Sequence, residues 1–192
     1  MELKGNTKNP SVVVIGVFHG DEPQGEYLIN KYLAENFNTN ILFIPRLNSC
    51  NTRVNKNGVD LNRNFPTKNW ELSEKNEYFG GETPACEKET KFIIETVEKY
   101  NPQLILSLHA PYKVVNYDCG GKCDLDIVER ISKIMNYPIE ESIGYPTPGS
   151  FGTWAGIERN ILTITLELDE EIDVKDLEPQ VFKVFEYLES IS

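Results

Sequence analysis

The chain contains only two histidines, and each stands at the end of an apolar run. His19 closes SVVVIGVFH, with Glu22 following three residues later, and His109 closes PQLILSLH. Two imidazoles and a nearby carboxylate are a common three-ligand set for catalytic zinc, with the remaining position open to water. His19 by itself fits a core or capping histidine equally well. Glu22 by itself fits the acidic bias of a helix's first turn. Both plainer readings lose ground because the two imidazoles occupy equivalent places. A further carboxylate, Glu167, lies in ILTITLELD beside Ile164, Leu166 and Leu168. A charge in such surroundings is costly unless it has a partner or a chemical task. Beside a metal it could take a proton from water and return it to a leaving amine. The alternation of Thr165, Glu167 and Asp169 leaves another reading open, the polar face of an edge strand.

A second cluster lies in GVDLNRNFP, where Arg63 stands between Asn62 and Asn64. A guanidinium suits a carboxylate, and an Asn amide can add an orienting bond. Arg53, ten residues upstream, is a second cation that could meet charge growing on a carbonyl oxygen. The alternative is a surface loop held by side-chain bonds to backbone. Together these residues point to hydrolysis of a peptide or related amide.

The elements must bring distant residues together. The 192 residues suffice for one domain, taken as 1–192, with a substantial core. Strands are expected over 11–18, 40–45, 103–108 and 161–168, the last of them central, with an edge strand over 112–117. Helices are expected over 22–37, 83–99, 124–135 and 174–188, plus a short one over 153–157. Thr83 and Pro84 suit the cap and first turn of the second helix. The polar stretch 47–83 lacks periodicity and carries the Asn/Arg cluster, so it reads as a functional loop. Helices recurring between strands imply an α/β fold with a mostly parallel or mixed sheet. Ligand sites gather at the C-terminal strand edge of such sheets, where His19, His109 and Glu167 are expected.

Composition narrows the partners. A formal charge of −11 argues against nucleic acid. Arg46, Arg53 and Arg63 still allow a local pocket for an anionic small molecule. No run resembles a secretory signal before the first strand or a membrane span, so a cytoplasmic chain is expected. The composition does not determine oligomeric state. Cys119 and Cys123 in DCGGKCD admit a local disulfide, a metal half-site or a tight loop of free thiols. Cys50 and Cys86 read as small buried hydrophobes.

His19-x-x-Glu22 with distant His109, the NTRVNKNGVDLNRNF segment and the TLELD glutamate resemble the zinc carboxypeptidase family. The resemblance implies that family's fold and a Zn²⁺ held by His19, Glu22 and His109. It assigns Glu167 as general base and acid, Arg53 as the carbonyl-polarising cation, and Asn62 and Arg63 as the grip on a terminal carboxylate. HGDEPQGE, YFGGETPACEKET, SLHAP and YPTPGSFGTWAG are similar to the branch that cuts γ-D-glutamyl–meso-diaminopimelate amides in cell-wall peptides. The implied partner is a small cell-wall peptide. Residues 112–124, including Asp118, and 147–154 are the natural pocket segments. The covering tyrosine of digestive relatives has three candidates, Tyr112, Tyr117 and Tyr145. Rival readings are a general metallocarboxypeptidase, an aspartoacylase-like amide hydrolase and a catalytically silent binding protein.

Overall fold

The computed structural model describes residues 1–36, 38–140 and 146–192. Among these residues seven strands form one sheet: β1 (Lys4–Gly5), β2 (Val12–Ile15), β3 (Leu42–Ile44), β4 (Leu104–His109), β5 (Val115–Asp118), β6 (Ile139–Glu140) and β7 (Leu162–Glu167). Their order is β1-β3-β2-β4-β7-β5-β6. The run β3-β2-β4-β7 is parallel, while β1 and β5 pair antiparallel with β3 and β7. The mixed α/β sheet expected from sequence is therefore present, with the two-residue strands β1 and β6 in addition. Every residue of β2, β3 and β4 is buried, because strands covered on both faces need continuous apolar runs.

Among the described residues four α-helices cover the sheet: α1 (Gln24–Glu35), α2 (Lys88–Tyr100), α3 (Leu125–Met135) and α4 (Val174–Ile191). Val12, Val14, Leu106 and Ile164 share one core with Leu28 of α1, Ile131 of α3 and Phe185 of α4. Val13, Ile15 and Ile105 share the other with Ile93 of α2 and with Phe65, Phe151 and Trp154. None of the described helices is long and apolar enough to cross a membrane.

Several local expectations need correction. α2 starts at Lys88 rather than Thr83. Ala85 has left-handed backbone (φ 51°) and donates its N–H to Asn64 O at 2.6 Å, so helix cannot propagate from Pro84. Glu22 precedes α1 instead of opening it. β5 is not an edge strand, because β6 lies outside it. β7, by contrast, lies between β4 and β5 as the central strand expected over 161–168, and the alternative edge-strand reading of Glu167 falls away. Cys119 and Cys123 form a disulfide, in place of free thiols or a metal half-site. Cys50 and Cys86 are free and only partly buried. The expected helix end at Phe37 and the turn starting at Tyr145 lie outside the described residues.

Candidate active site

Sheet register supplies one half of the site. His109 and Glu167, the last residues of β4 and β7, are direct partners. Side chains alternate between sheet faces, so Ser107 and Thr165 accompany them while Leu106, Leu108, Ile164 and Leu166 enter the opposite core. On β5, Asn116 pairs with Thr165 and Asp118 with Thr163, which extends the polar row. The Ser107 and Thr165 hydroxyls lie 3.2 Å apart. Tyr117 packs against the opposite core and is thereby removed as a covering residue. Tyr112 is exposed and lines the cleft. Tyr145 lies outside the described residues.

Loops supply the other half. His19 lies four residues beyond the end of β2, in the turn before α1. Glu22 N–H bonds to His19 O at 3.1 Å, and Gly20 N–H to Thr52 O at 3.0 Å. A Cβ on Gly20 would stand 1.9 Å from Cys50 O, so this approach requires glycine. The turn aims both side chains inward. His19 Nδ1 lies 2.8 Å from Glu22 Oε1, and His109 Nδ1 lies 2.9 Å from Glu22 Oε2. One ligand atom from each of the three lies within 4.8 Å of the others. Among the described residues no second group of this kind is found. Two imidazole nitrogens and a carboxylate around one point suit Zn²⁺.

Asp60 is the site residue that sequence reasoning missed. It is fully buried in GVDLNRNFP. Its Oδ1 receives Asn62 N–H at 2.8 Å and faces His19 Nε2 at 3.1 Å. Its Oδ2 receives Arg53 Nε and Nη2 at 3.1 and 2.9 Å. A carboxylate on the second nitrogen of a metal-ligating histidine fixes its orientation and raises its basicity. The signal was present: a lone acid flanked by Val59 and Leu61, the same pattern that marked Glu167.

Arg53, Asn62 and Arg63 all border the cleft, which encloses about 410 Å³. Arg53 Nη1 points toward the triad, 3.5 Å from His19 Nδ1 and 4.0 Å from Glu22 Oε1. Tyr78 stacks on the Arg53 guanidinium at 4.8 Å. Asn62 accepts Phe151 N–H at 2.9 Å, and Arg63 donates to Asn62 O at 2.7 Å. The expected metal, base, polarising and carboxylate-binding residues thus share one cleft.

Burial and pairing tune these groups. Burial pulls His19 down, but its bonds to Asp60 and Glu22 outweigh this and hold it at about 9. Burial raises Glu22, yet His109 and His19 carry it well below the usual carboxylate range. Burial likewise opposes Asp60, which His19, Arg53 and Arg63 lower to about 2. Glu167 is shifted up, chiefly by burial. Its Oε2 is buried without a hydrogen-bond partner among the described residues, and Glu167 lines the same cleft as the triad. Burial also raises Asp118, to about 6.

Comparison with known proteins agrees with this geometry. A zinc carboxypeptidase family model matches residues 38–180, which include Arg53, Asn62, Arg63, His109 and Glu167. His19 and Glu22 precede the matched segment and join it through the fold. The chain is 35% identical over 136 residues to murein peptide amidase A of Vibrio campbellii, covering 65% of this chain and 53% of that protein. It is 32% identical over 127 residues to the Escherichia coli K12 protein of that name, covering 60% and 50%. The chain thus spans about half the length of the curated relatives it matches. The crystal structure of murein-tripeptide amidase from Escherichia coli O157 superposes with a TM-score of 0.80 at 25% identity, covering 96% of this chain and 83% of that one. With the His–Glu–His cluster and Glu167 on the same sheet edge, the matched motifs and the shared fold lead to one assignment: this chain belongs to the zinc carboxypeptidase family.

Proposed function

We propose that this protein hydrolyses an amide next to a free carboxylate, and that its substrate is the γ-D-glutamyl–meso-diaminopimelate bond of a cell-wall peptide. The observation that carries the reaction class is the convergence of His19, Glu22 and His109 beside Glu167. Zinc bound by those three would polarise the scissile carbonyl and acidify a water molecule. Glu167 takes the proton as water oxygen adds to the carbonyl carbon, then delivers it to the nitrogen as the C–N bond breaks. Its burial-raised proton affinity suits this exchange. Arg53, with Nη1 turned toward the triad, meets charge developing on the carbonyl oxygen. Asn62 and Arg63 hold the carboxylate of the leaving residue.

The substrate reading rests on Asp118 and on the relatives named murein peptide amidase. Asp118 borders the same cleft and makes no ion pair or hydrogen bond through its side chain to a described residue. Close packing against Gly152 and Gly156, where an added Cβ would meet Asp118 at 1.9 and 2.4 Å, limits its retreat. A partly buried carboxylate left this way favours an ammonium partner. Diaminopimelate carries one at the far end of its side chain, beside a second carboxylate.

The test is hydrolysis by the zinc-loaded protein of L-Ala-γ-D-Glu-meso-diaminopimelate, its L-Lys counterpart, hippuryl peptides and N-acetyl-aspartate. Release of diaminopimelate with the highest kcat/KM is expected. Equal rates for the Lys peptide, or faster release of Phe, would defeat the substrate assignment. Cleavage of N-acetyl-aspartate alone would replace the peptidase reading.

A further inference from the structure

Asn48 spends its whole side chain on the backbone of one short segment. The residue is completely buried. Its Nδ2 donates to Thr52 O and to Arg53 O, both at 3.1 Å. Its Oδ1 accepts Cys50 N–H at 2.9 Å. An asparagine amide has two protons and one oxygen to offer, and all three are engaged within residues 50–53. The root of the segment is fixed as well. Asn48 N–H donates to Val17 O at 3.2 Å, as Leu47 N–H does at 3.0 Å, so the segment hangs from the chain leaving β2.

The metal-ligand turn rests on that segment. Gly20, next to His19, donates its N–H at 3.0 Å to Thr52 O, the same oxygen that Asn48 holds. An added Cβ on Gly20 would stand 1.9 Å from Cys50 O and 2.9 Å from Thr52 O, so the two backbones touch. Arg46 Nη2 takes the other polar group of Gly20, donating to its carbonyl at 3.3 Å. Asp60 acts on the His19 ring. Asn48 acts on the backbone beneath it. A turn held this way keeps His19 and Glu22 converged before an ion arrives, which removes an ordering cost from binding. A simpler role, capping the turn at Cys50, accounts for Oδ1. It leaves both Nδ2 bonds unexplained.

We propose that Asn48 is a positioning residue for the metal centre: by fixing the Thr52 carbonyl, its amide holds the His19–Glu22 turn in ligating geometry. This deepens the proposed zinc-hydrolase reading and rests on it for the ion. Asn48 itself stands outside the cleft.

The test measures zinc affinity of Asn48→Asp and Asn48→Ala by competition with a chelating dye, where circular dichroism shows each metal-free variant to be folded. Aspartate keeps an acceptor for Cys50 N–H but, once ionised, has no proton for Thr52 O or Arg53 O. Both variants should raise the zinc Kd about tenfold, the lower end of the loss when a group supporting a ligand is removed. Parent-like affinity in either variant would overturn the proposal, and in Asn48→Asp it would reduce the residue to a cap on Cys50. A second measurement uses the unaltered protein and decides the matter if neither variant folds. Coupling between two sites is reciprocal, so zinc should slow hydrogen exchange of the Asn48 Nδ2 protons by the same factor, about tenfold. Exchange unchanged by zinc would also overturn the proposal. A parent that binds no zinc would defeat the metal-centre reading, and this proposal with it. A parent that binds zinc, with variants that bind it equally well, would leave that reading standing and remove only the role of Asn48.

Discussion

The two halves of the cleft are built by different means. His109, Glu167, Ser107, Thr165, Asn116 and Asp118 take their positions from strand register. His19, Glu22, Arg53, Asn62 and Arg63 lie in turns and loops, where Asp60 links His19, Arg53 and the Asn62 backbone through its two oxygens. Backbone hydrogen bonds specify the sheet half, so a side-chain change there can alter chemistry with little geometric disturbance. A buried carboxylate specifies the loop half, so its removal disturbs several groups together. The difference separates a half whose groups can be changed one at a time from a half whose groups depend on a shared anchor.

Glu167→Gln gives the largest expected catalytic effect and isolates chemistry on the sheet side. It should lower kcat by about 10²–10⁴-fold, since an amide cannot carry the proton. Metal content should persist. Folded Glu167 has a raised pKa, so its contribution favours folding below the unfolded carboxylate range and is lost as pH rises through the folded value. At neutral pH the metal-free Gln variant should therefore melt no lower than the parent. A large fall in Tm would show that Glu167 also holds the sheet edge in place.

Asp60→Ala should disturb activity, metal binding and folding at once. It leaves Arg53 and the His19 ring donor without their buried acceptor. Loss of such a buried partner costs about 3–5 kcal/mol, and loss of an outer carboxylate weakens metal affinity by about 10–100-fold. Denaturant unfolding and zinc titration measure the two effects. A variant with normal zinc affinity and stability would reduce Asp60 to a turn cap and end the contrast between the halves.

Asp118→Asn should act on substrate choice with the smallest effect on the catalytic groups. Burial places the Asp118 pKa at about 6. Because that value is raised, the carboxylate gains its charge late, as pH rises through about 6. The ratio of kcat/KM for ammonium-bearing over neutral leaving residues should rise through the same range. Taking a ratio cancels the titration of Glu167. The Asn variant should lower the ratio by about tenfold and flatten its pH dependence, a change of about 1.4 kcal/mol. A parent ratio that is flat with pH would remove Asp118 from substrate recognition.

Much of the site was legible because local patterns carried its chemistry. The two histidines ended apolar runs, and Glu167 was an acid among aliphatic neighbours. Those runs also disclosed the buried strands. Some local patterns are overruled, or left undecided, by contacts that no local pattern records. Thr83–Pro84 has the chemistry of a helix start, but the backbone bond from Ala85 to Asn64 delays α2. Thr165–Glu167–Asp169 has the alternation of an edge strand, but β5 covers that side of β7. DCGGKCD alone likewise could not choose among a disulfide, a metal half-site and free thiols. Its two sulfurs meet in the folded loop.

The amino-acid sequence by itself determined which groups could ligate a metal, move a proton or hold a carboxylate, because those capacities belong to the side chains. It also determined the α/β class, because apolar period and turn residues act over a few positions. Tertiary structure decided that Glu167 faces His109, that Tyr117 faces away while Asp118 enters the cleft, and that Asp60 joins His19 to Arg53. Those decisions depend on strand order, register and loop closure. All three are set by packing between segments far apart in the chain, where a one-residue change of register would turn each strand's side chains to the other face.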